Sequence, residues 1–182
     1  ATEIPLELKF PESTSGRWAL RADLVRLDAG TLDLSKTYDA SLFGSTLLCQ
    51  PTCDSGRHAQ QAEGVALNVG LERGATRYDL GTTPIGFPVQ SWVGGILHKG
   101  DLGPFGYSLD VSRRPVTASL LSYAGTRDVR TGRTWGGVQA TGARLGLSLD
   151  EGGRFGGWSS LGWHRLSGQN VLDNDRHQLD AV

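Results

Sequence analysis

Between Val65 and Leu71 the chain alternates without a break: Val65, Leu67, Val69 and Leu71 are interleaved with Gly64, Ala66, Asn68 and Glu72. A side-chain period of two belongs to a strand with one apolar and one polar edge, and a helix would scatter the same residues around its circumference. The pattern recurs. In residues 17–27, Trp18, Leu20, Ala22 and Leu24 oppose Arg21 and Asp23; in Thr76–Thr82, Tyr78 and Leu80 share a face. Residues 89–99 set Val89, Val93 and Leu97 against Gln90, Trp92 and His98, with Ile96 breaking the alternation. Phe105, Tyr107, Leu109 and Val111 oppose Ser108, Asp110 and Ser112, and Leu145, Leu147 and Leu149 oppose Arg144, Ser148 and Asp150. In residues 154–166, Phe155, Leu161 and Trp163 lie on one edge, and Arg154, Trp158, Ser160 and His164 on the other. A further strand starts at His177, and residues 4–10, interrupted by Pro5 and bounded by Pro11, read as a lead-in or an edge strand.

The expectation is an all-β, antiparallel chain of about eight strands over residues 17–182, after a lead-in segment of residues 1–16. The 26 glycines among 182 residues supply turn material in place of helix formers. No apolar run approaches the roughly eighteen residues of a membrane-spanning helix. A transmembrane β-barrel hides from that test, because its lipid-facing and lumen-facing residues alternate. The predicted connections sort by length, long after the first, third, fifth and seventh strands and tight after the second, fourth and sixth, which is the organisation of an outer-membrane barrel. Phe155 and Trp163 are separated by about 26 Å of strand, or ~19 Å along the normal once a barrel tilt is applied, close to the height of an apolar band between aromatic girdles. With the apolar edges outward, Arg21, Asp23, Asn68, Glu72, Asp110, Arg144, Asp150, Arg154 and His164 face a water-filled lumen of mixed sign. Such a lumen suits a neutral, hydroxyl-rich polymer. The other reading of the same alternation is a secreted, soluble β-sandwich that binds carbohydrate on a platform of Trp92, Trp158 and Trp163. The net charge of −1 and scattered basic residues make nucleic acid an unsuitable partner. The polar, acidic opening Ala1-Thr2-Glu3 shows no signal peptide, as expected of a mature or trimmed chain.

Besides the polar connection read over residues 28–61, which carries the two cysteines, a long departure from strand pattern is residues 113–144, where Val116, Leu120 and Tyr123 fall at helical spacing within 115–124 before a Gly-, Thr- and Arg-rich run ending at Trp135. Connections of this length are usually functional or disordered, and this one is expected to be functional. Here the chain also resembles a known family. Arg113, the run Leu121-Ser122-Tyr123-Ala124-Gly125, then Thr131-Gly132-Arg133-Thr134-Trp135-Gly136-Gly137-Val138, Gly162-Trp163-His164-Arg165-Leu166 and Asp173-Asn174-Asp175-Arg176 are similar to the C-terminal outer-membrane barrel of the cellulose-export component of bacterial cellulose synthase. The resemblance is strong over residues 86–176 and looser before. It implies an antiparallel transmembrane β-barrel of the bacterial outer membrane that exports cellulose, a β-1,4-glucan, from periplasm to cell surface for the biofilm matrix. It further implies as partners the cellulose chain, outer-membrane lipid, and the inner-membrane and periplasmic parts of the cellulose synthase complex. The family's barrel has about twice as many strands as this chain shows, and a closed barrel of about eight is filled by its own side chains. The chain is therefore expected to be the N-terminal part of a larger, about 16-stranded barrel.

Sugar rings present apolar C–H faces that pack on aromatic rings, and charged neighbours satisfy the hydroxyls. Trp92, Tyr123, Trp135 and Trp158, with Arg133 beside Trp135, join the lumen residues as the expected polysaccharide path, and the loop before Gly136 is expected to fold toward the mouth as a gate. Asp110 and Asp150 are the carboxylate pair that glycoside hydrolysis would require, as neighbours across strands, but no motif marks them, and His164 lacks a serine or acidic partner in sequence. No enzyme is expected. Asp173-Asn174-Asp175 lacks the glycine and distal glutamate of a calcium loop, and residues 132–137 lack the lysine of a phosphate loop, so neither metal nor cofactor is expected. The glycines there are read as sites of close backbone approach. Cys49 and Cys53 read as a local disulfide contributing about 2 kcal/mol, against the alternative of two free thiols.

Overall fold

The structure, a computed structural model, describes residues 1–12, 16–33, 56–128, 132–150 and 156–182. Its elements are β1 (Thr2–Pro11), β2 (Gly16–Asp33), β3 (Arg57–Arg73), β4 (Thr76–Thr82), β5 (Trp92–Leu102), β6 (Phe105–Pro115), α1 (Leu120–Tyr123), β7 (Thr126–Arg127), β8 (Thr134–Asp150), β9 (Gly156–Gln169) and β10 (Asn174–Ala181). They form one antiparallel sheet in the order β1-β2-β3-β4-β5-β6-β8-β9-β10, with short β7 added beside β8. Apart from the short β7, each strand pairs with the strand next to it in the chain, the simplest outcome when tight turns such as Gly74-Ala75 and Gly103-Pro104 join alternating strands. β1 and β10 pair on one side only among the described residues, so the sheet is an open wall of the kind a barrel fragment makes. No second sheet lies against it among those residues, and the sandwich reading fails for want of an opposing layer.

Several expected boundaries move. Residues 4–10 are part of an edge strand, paired from Thr2 opposite Arg26 to Pro11 opposite Arg17; proline is tolerated there because an edge strand keeps one side out of the ladder. The stretch 28–61, expected to be all connection, lengthens β2 to Asp33 and starts β3 at Arg57. Polar side chains hold that extension: Arg57 Nε donates to Asp33 at 3.0 Å and Gln61 Nε2 to Asp28 at 2.9 Å, beside a bulge where Gly30 takes φ 89°. The helix expected over 115–124 is a single turn, since Pro115 still belongs to β6 and Val116 N–H still donates to Val138. Ser119 and Ser122 cap that turn reciprocally. β5 begins at Trp92, and the connection expected over 167–176 shrinks to Asn170–Asp173. The Cys49 and Cys53 disulfide expectation, and Arg154 and Phe155, lie outside the described residues.

Registration sorts the faces. The cross-strand row Trp18, Leu71, Tyr78, Ile96, Val111, Ala143 and Trp163 lies on one side, as does the row Leu109, Leu145, Leu161 and Leu179. Nothing in the described chain covers this side: Leu67, Leu109 and Leu147 are 47%, 43% and 42% exposed. The interior is instead small and lies at the end of the long connections. Val25, Ala62, Phe87 and Ala124 are buried together, flanked by Leu27, Leu120 and Tyr123, with the Phe87 and Tyr123 rings edge-to-face at 5.2 Å. Val89, expected in a strand, belongs to the β4–β5 connection, where its N–H donates to Ala124 at 3.0 Å. Gly136 and Gly137, at φ 95° and 61°, make the seat; a Cβ on Gly136 would strike the Leu121 carbonyl, and one on Gly137 the Val89 side chain.

Gly137→Val would add a side chain where φ is positive and Val89 already stands. Its expected effect is to undock α1 and the β4–β5 connection, seen as faster proteolysis within residues 116–125, while the strand signal in circular dichroism stays unchanged.

Candidate functional site

The polar face is built by the residues that alternate with the uncovered apolar ones, and its chemistry is that of charges paired within and across strands. Arg17 reaches Glu72 at 2.7 Å, Arg21 reaches Asp23 at 2.8 Å, and Lys9 reaches Glu7 at 2.9 Å. Two bridges jump an intervening strand. Arg114 on β6 holds Asp79 on β4 with two hydrogen bonds, 2.5 and 2.6 Å, passing over β5 at Gly95. Arg144 on β8 reaches Asp180 on β10 at 3.0 Å and Ser160 at 2.8 Å, passing over β9 at Gly162. In the first case Gly95 offers no side chain in the path of the guanidinium; in the second Gly162 stands bare opposite Arg144, and the Ser160 hydroxyl of the same strand joins the bridge, accepting from Arg144 and donating to Asp180. The result is a wall of alternating sign that is locally neutral and rich in donors and acceptors.

The expected lumen residues Arg21, Asp23, Asn68, Glu72, Asp110, Arg144 and His164 share this face by register. Asp110 accepts from Ser112 at 2.5 Å, and Asn68 Nδ2 donates to Asp79 at 3.5 Å. Asp110 stands opposite Arg144, whereas Asp150 ends β8 opposite Gly156, so the carboxylates weighed for hydrolysis are not cross-strand neighbours. The Nδ1 of His164 is buried and lacks a hydrogen-bond partner among the described residues. Trp158 lies on the polar face near the tight-turn end, opposite Ser148, and is 47% exposed. It lines a recess of about 1000 Å³ with Lys99, Asp110, Arg144, His164 and Gln178.

Other expected aromatics lie elsewhere. Trp92, 68% exposed, stands with Leu80, Leu67 and Ile85 on the apolar face, so its place is corrected from the polar path to the opposite side. Ile96 explains the misreading: it shares the face of Trp92, while Val93 and Leu97, though apolar, are on the polar face. With Trp163 also on the apolar face, the three tryptophans make no common platform. Trp135 is half-buried opposite Thr126 in the β7–β8 ribbon, and the exposed Arg133 accepts, through its carbonyl, the Asp128 N–H.

Tyr123 does meet the polar face. It lines a recess with Arg21, Asp23, Asp79, Asp110 and Arg114, and burial pushes its phenol above the ordinary tyrosine range, with the Glu3 and Asp23 carboxylates acting in the same direction. The β4–β5 connection is the component that sequence reading missed. Residues 84–88 gave only a turn signal, and nothing local marks Phe87 as the ring against which Tyr123 rests.

Two outcomes follow from this geometry. Gly95→Leu is expected to separate Arg114 from Asp79 and cost about 2 kcal/mol, through a charged hydrogen-bonded pair left broken, measured as a lower unfolding midpoint. Phe87→Ala is expected to lower the Tyr123 phenol toward the ordinary range, read by ultraviolet titration against a Tyr123→Phe blank.

Residues 1–181 match the family model described as the cellulose synthase operon protein C C-terminus. Cellulose synthase operon protein C of Salmonella typhimurium is 41% identical over 175 residues, covering 94% of this chain and 14% of the relative. The Escherichia coli K12 protein of that name is 39% identical over 173 residues, covering 94% of this chain and 15% of its own length. The Xanthomonas axonopodis protein is 46% identical over 127 residues, covering 69% of this chain and 8% of its own length. The chain thus spans about one seventh of the first two relatives. Both the sheet and the matched sequence lead to one assignment: the chain belongs to the family of the cellulose synthase operon protein C C-terminus.

Proposed function

We propose that this chain is part of the wall of an outer-membrane barrel through which a β-1,4-glucan leaves the cell, and that it performs no chemistry of its own. The observation that carries the reading is the contrast between faces: leucines, valines and aromatic rings stand uncovered over one side, while the charges of the other pair with one another. A bilayer is the partner that such an apolar side fits. A neutral, hydrogen-bonding side fits a hydroxyl-rich polymer. Sliding needs favourable but weak, repeated contacts, because conduction fails when release is slow. Trp158 near the tight-turn end and Tyr123 near the other supply rings for sugar C–H faces, and ion pairs and small residues lie between.

Under this reading the tight turns face the periplasm and the long connections the cell surface. The cap of α1, Phe87 and Tyr123 then sits at the outer mouth as the gate. The partners are the glucan, outer-membrane lipid and the inner-membrane and periplasmic parts of a cellulose synthase complex, and the product is matrix cellulose. The lack of a cross-strand neighbour relation between Asp110 and Asp150 supports transport over hydrolysis.

Leu109→Arg in the full-length protein would put a guanidinium against acyl chains at a cost of about 2 to 4 kcal/mol near mid-bilayer. It should reduce outer-membrane assembly, measured by fractionation; unaltered assembly of a Leu109→Arg and Leu145→Arg double variant would sink the reading. Trp158→Ala should lower cellulose export while leaving the amount of assembled protein unchanged. Joint replacement of Tyr123 and Trp135 by Ala should raise leak conductance in planar bilayers, and unchanged export and leak together would remove the gate.

A further inference from the structure

A cross-strand row at the border of the apolar face carries polar side chains. Arg113 of β6, Thr141 of β8 and Arg165 of β9 stand opposite one another, close to the end of β6 at Pro115 and therefore toward the long connections. The next same-face row toward the tight turns is Ile96, Val111, Ala143 and Trp163. Donors thus border a greasy surface along a straight line. Neighbouring strands are about 4.8 Å apart, so the two guanidinium-bearing positions are separated by about 10 Å with a hydroxyl between them.

The two arginines differ. Arg165 is already satisfied by Asp173 at 2.8 Å, with Asp175 opposite it on β10. Arg113 has no carboxylate partner among the described residues. Its Nε donates to the Trp92 carbonyl at 3.1 Å, which fixes the plane of the guanidinium and leaves its two terminal nitrogens open on the exposed side, without a partner among the described residues. Beneath it lies a recess of about 630 Å³ lined by Leu80, Trp92, Ile96, Val111, Arg113 and Thr141. Its floor is Gly94, where a Cβ would come within 2.6 Å of the Asp79 carbonyl, so no side chain fills the notch.

We propose that Arg113 and Thr141 bind the phosphate of a lipid headgroup, with one acyl chain lying in the notch over Gly94. This rests on the bilayer-facing reading of the apolar side and adds to it a particular lipid, held at the outer-leaflet level. Charge selects the occupant. A planar guanidinium with free donors recognises phosphate in a forked arrangement, and a ring such as Trp92 at the headgroup level is the usual neighbour of such a contact. A zwitterionic choline lipid shields its phosphate and would be held less well than an anionic phosphate-bearing lipid. With Arg165 paired to Asp173, Arg113 is the guanidinium of this row without a carboxylate among the described residues.

The test uses the full-length protein purified from membranes in a mild non-ionic detergent. Lipid A and phosphatidylcholine are titrated separately into delipidated protein, and retained lipid is quantified by native mass spectrometry. Wild type should retain lipid A, and Arg113→Ala should weaken that retention about tenfold, the equivalent of losing one charge-assisted contact. Gly94→Val, which fills the notch, should have a similar effect, whereas Arg113→Lys should restore part of the retention. Equal retention of phosphatidylcholine, or undiminished lipid A binding by Arg113→Ala, would overturn the site. Displacement of lipid A by millimolar inorganic phosphate alone would show a free-anion site and overturn it too. If the wild-type protein is soluble and monodisperse without detergent, the bilayer reading itself fails; loss of the lipid site in a protein that still fractionates with membranes leaves that reading standing.

Discussion

An apolar surface that nothing among the described residues covers governs this architecture. In a water-soluble domain the strand leucines would be driven against a second layer, each side chain contributing about 1.5 to 3 kcal/mol on burial. Here Leu67, Leu109, Leu145, Leu147 and Leu161 all stand outward. Among the described residues the buried apolar cluster is small, with Phe87 and Ala124 at its centre. The sheet is held by its ladders and by polar side chains on the other face, so hydrogen bonding has the cohesive role that a hydrophobic core has elsewhere. Backbone groups in hydrocarbon have no water to bond, and a ladder of paired strands satisfies them within the protein.

Much of the fold was legible because alternation is a local signal. The faces of Leu67, Tyr78, Leu109, Leu145, Arg144 and His164 follow from counting by two, and the tight turns from their glycines. Trp92 was not legible. Val93 and Leu97 put apolar residues on the polar side of β5, so counting from Val89 assigned the strand backwards. The strand β1 was half legible, since Pro5 weakens a strand signal but leaves an edge position open. The extension of β2 and β3 was hidden because Asp28, Asp33, Arg57 and Gln61 have low strand preference singly, and their pairing across the strands is not a local signal.

The candidate site shows the same division. That the polar residues share a face could be read directly, but that Arg114 crosses to Asp79 depends on Gly95 standing opposite Asp79 on one side and Ser112, two residues before Arg114, on the other, which is knowledge of register rather than of composition. The cap is foreseen in part: Tyr123 and the close approach at glycines 136 and 137 are readable in the sequence, while Phe87 enters from a separate connection. A single helical turn has no stability of its own, because nucleation is unfavourable and too few bonds follow it. The order of α1 therefore comes from Phe87, Val89 and its serine cap, and the free energy for moving it resides in contacts with another connection.

The two bridges that skip a strand have a mechanical meaning. A bond between adjacent strands resists their separation, but Arg114 to Asp79 and Arg144 to Asp180 each tie together strands that are not neighbours. Sliding the middle strand lengthwise would carry Gly95 out from under Arg114 and bring larger side chains in its place, and would take from Arg144 the Ser160 hydroxyl that it binds. Each bridge thus acts as a staple against shear, the lengthwise load that would slip one strand past the next and that ordinary ladder bonds, which recur at every second residue, are least able to index.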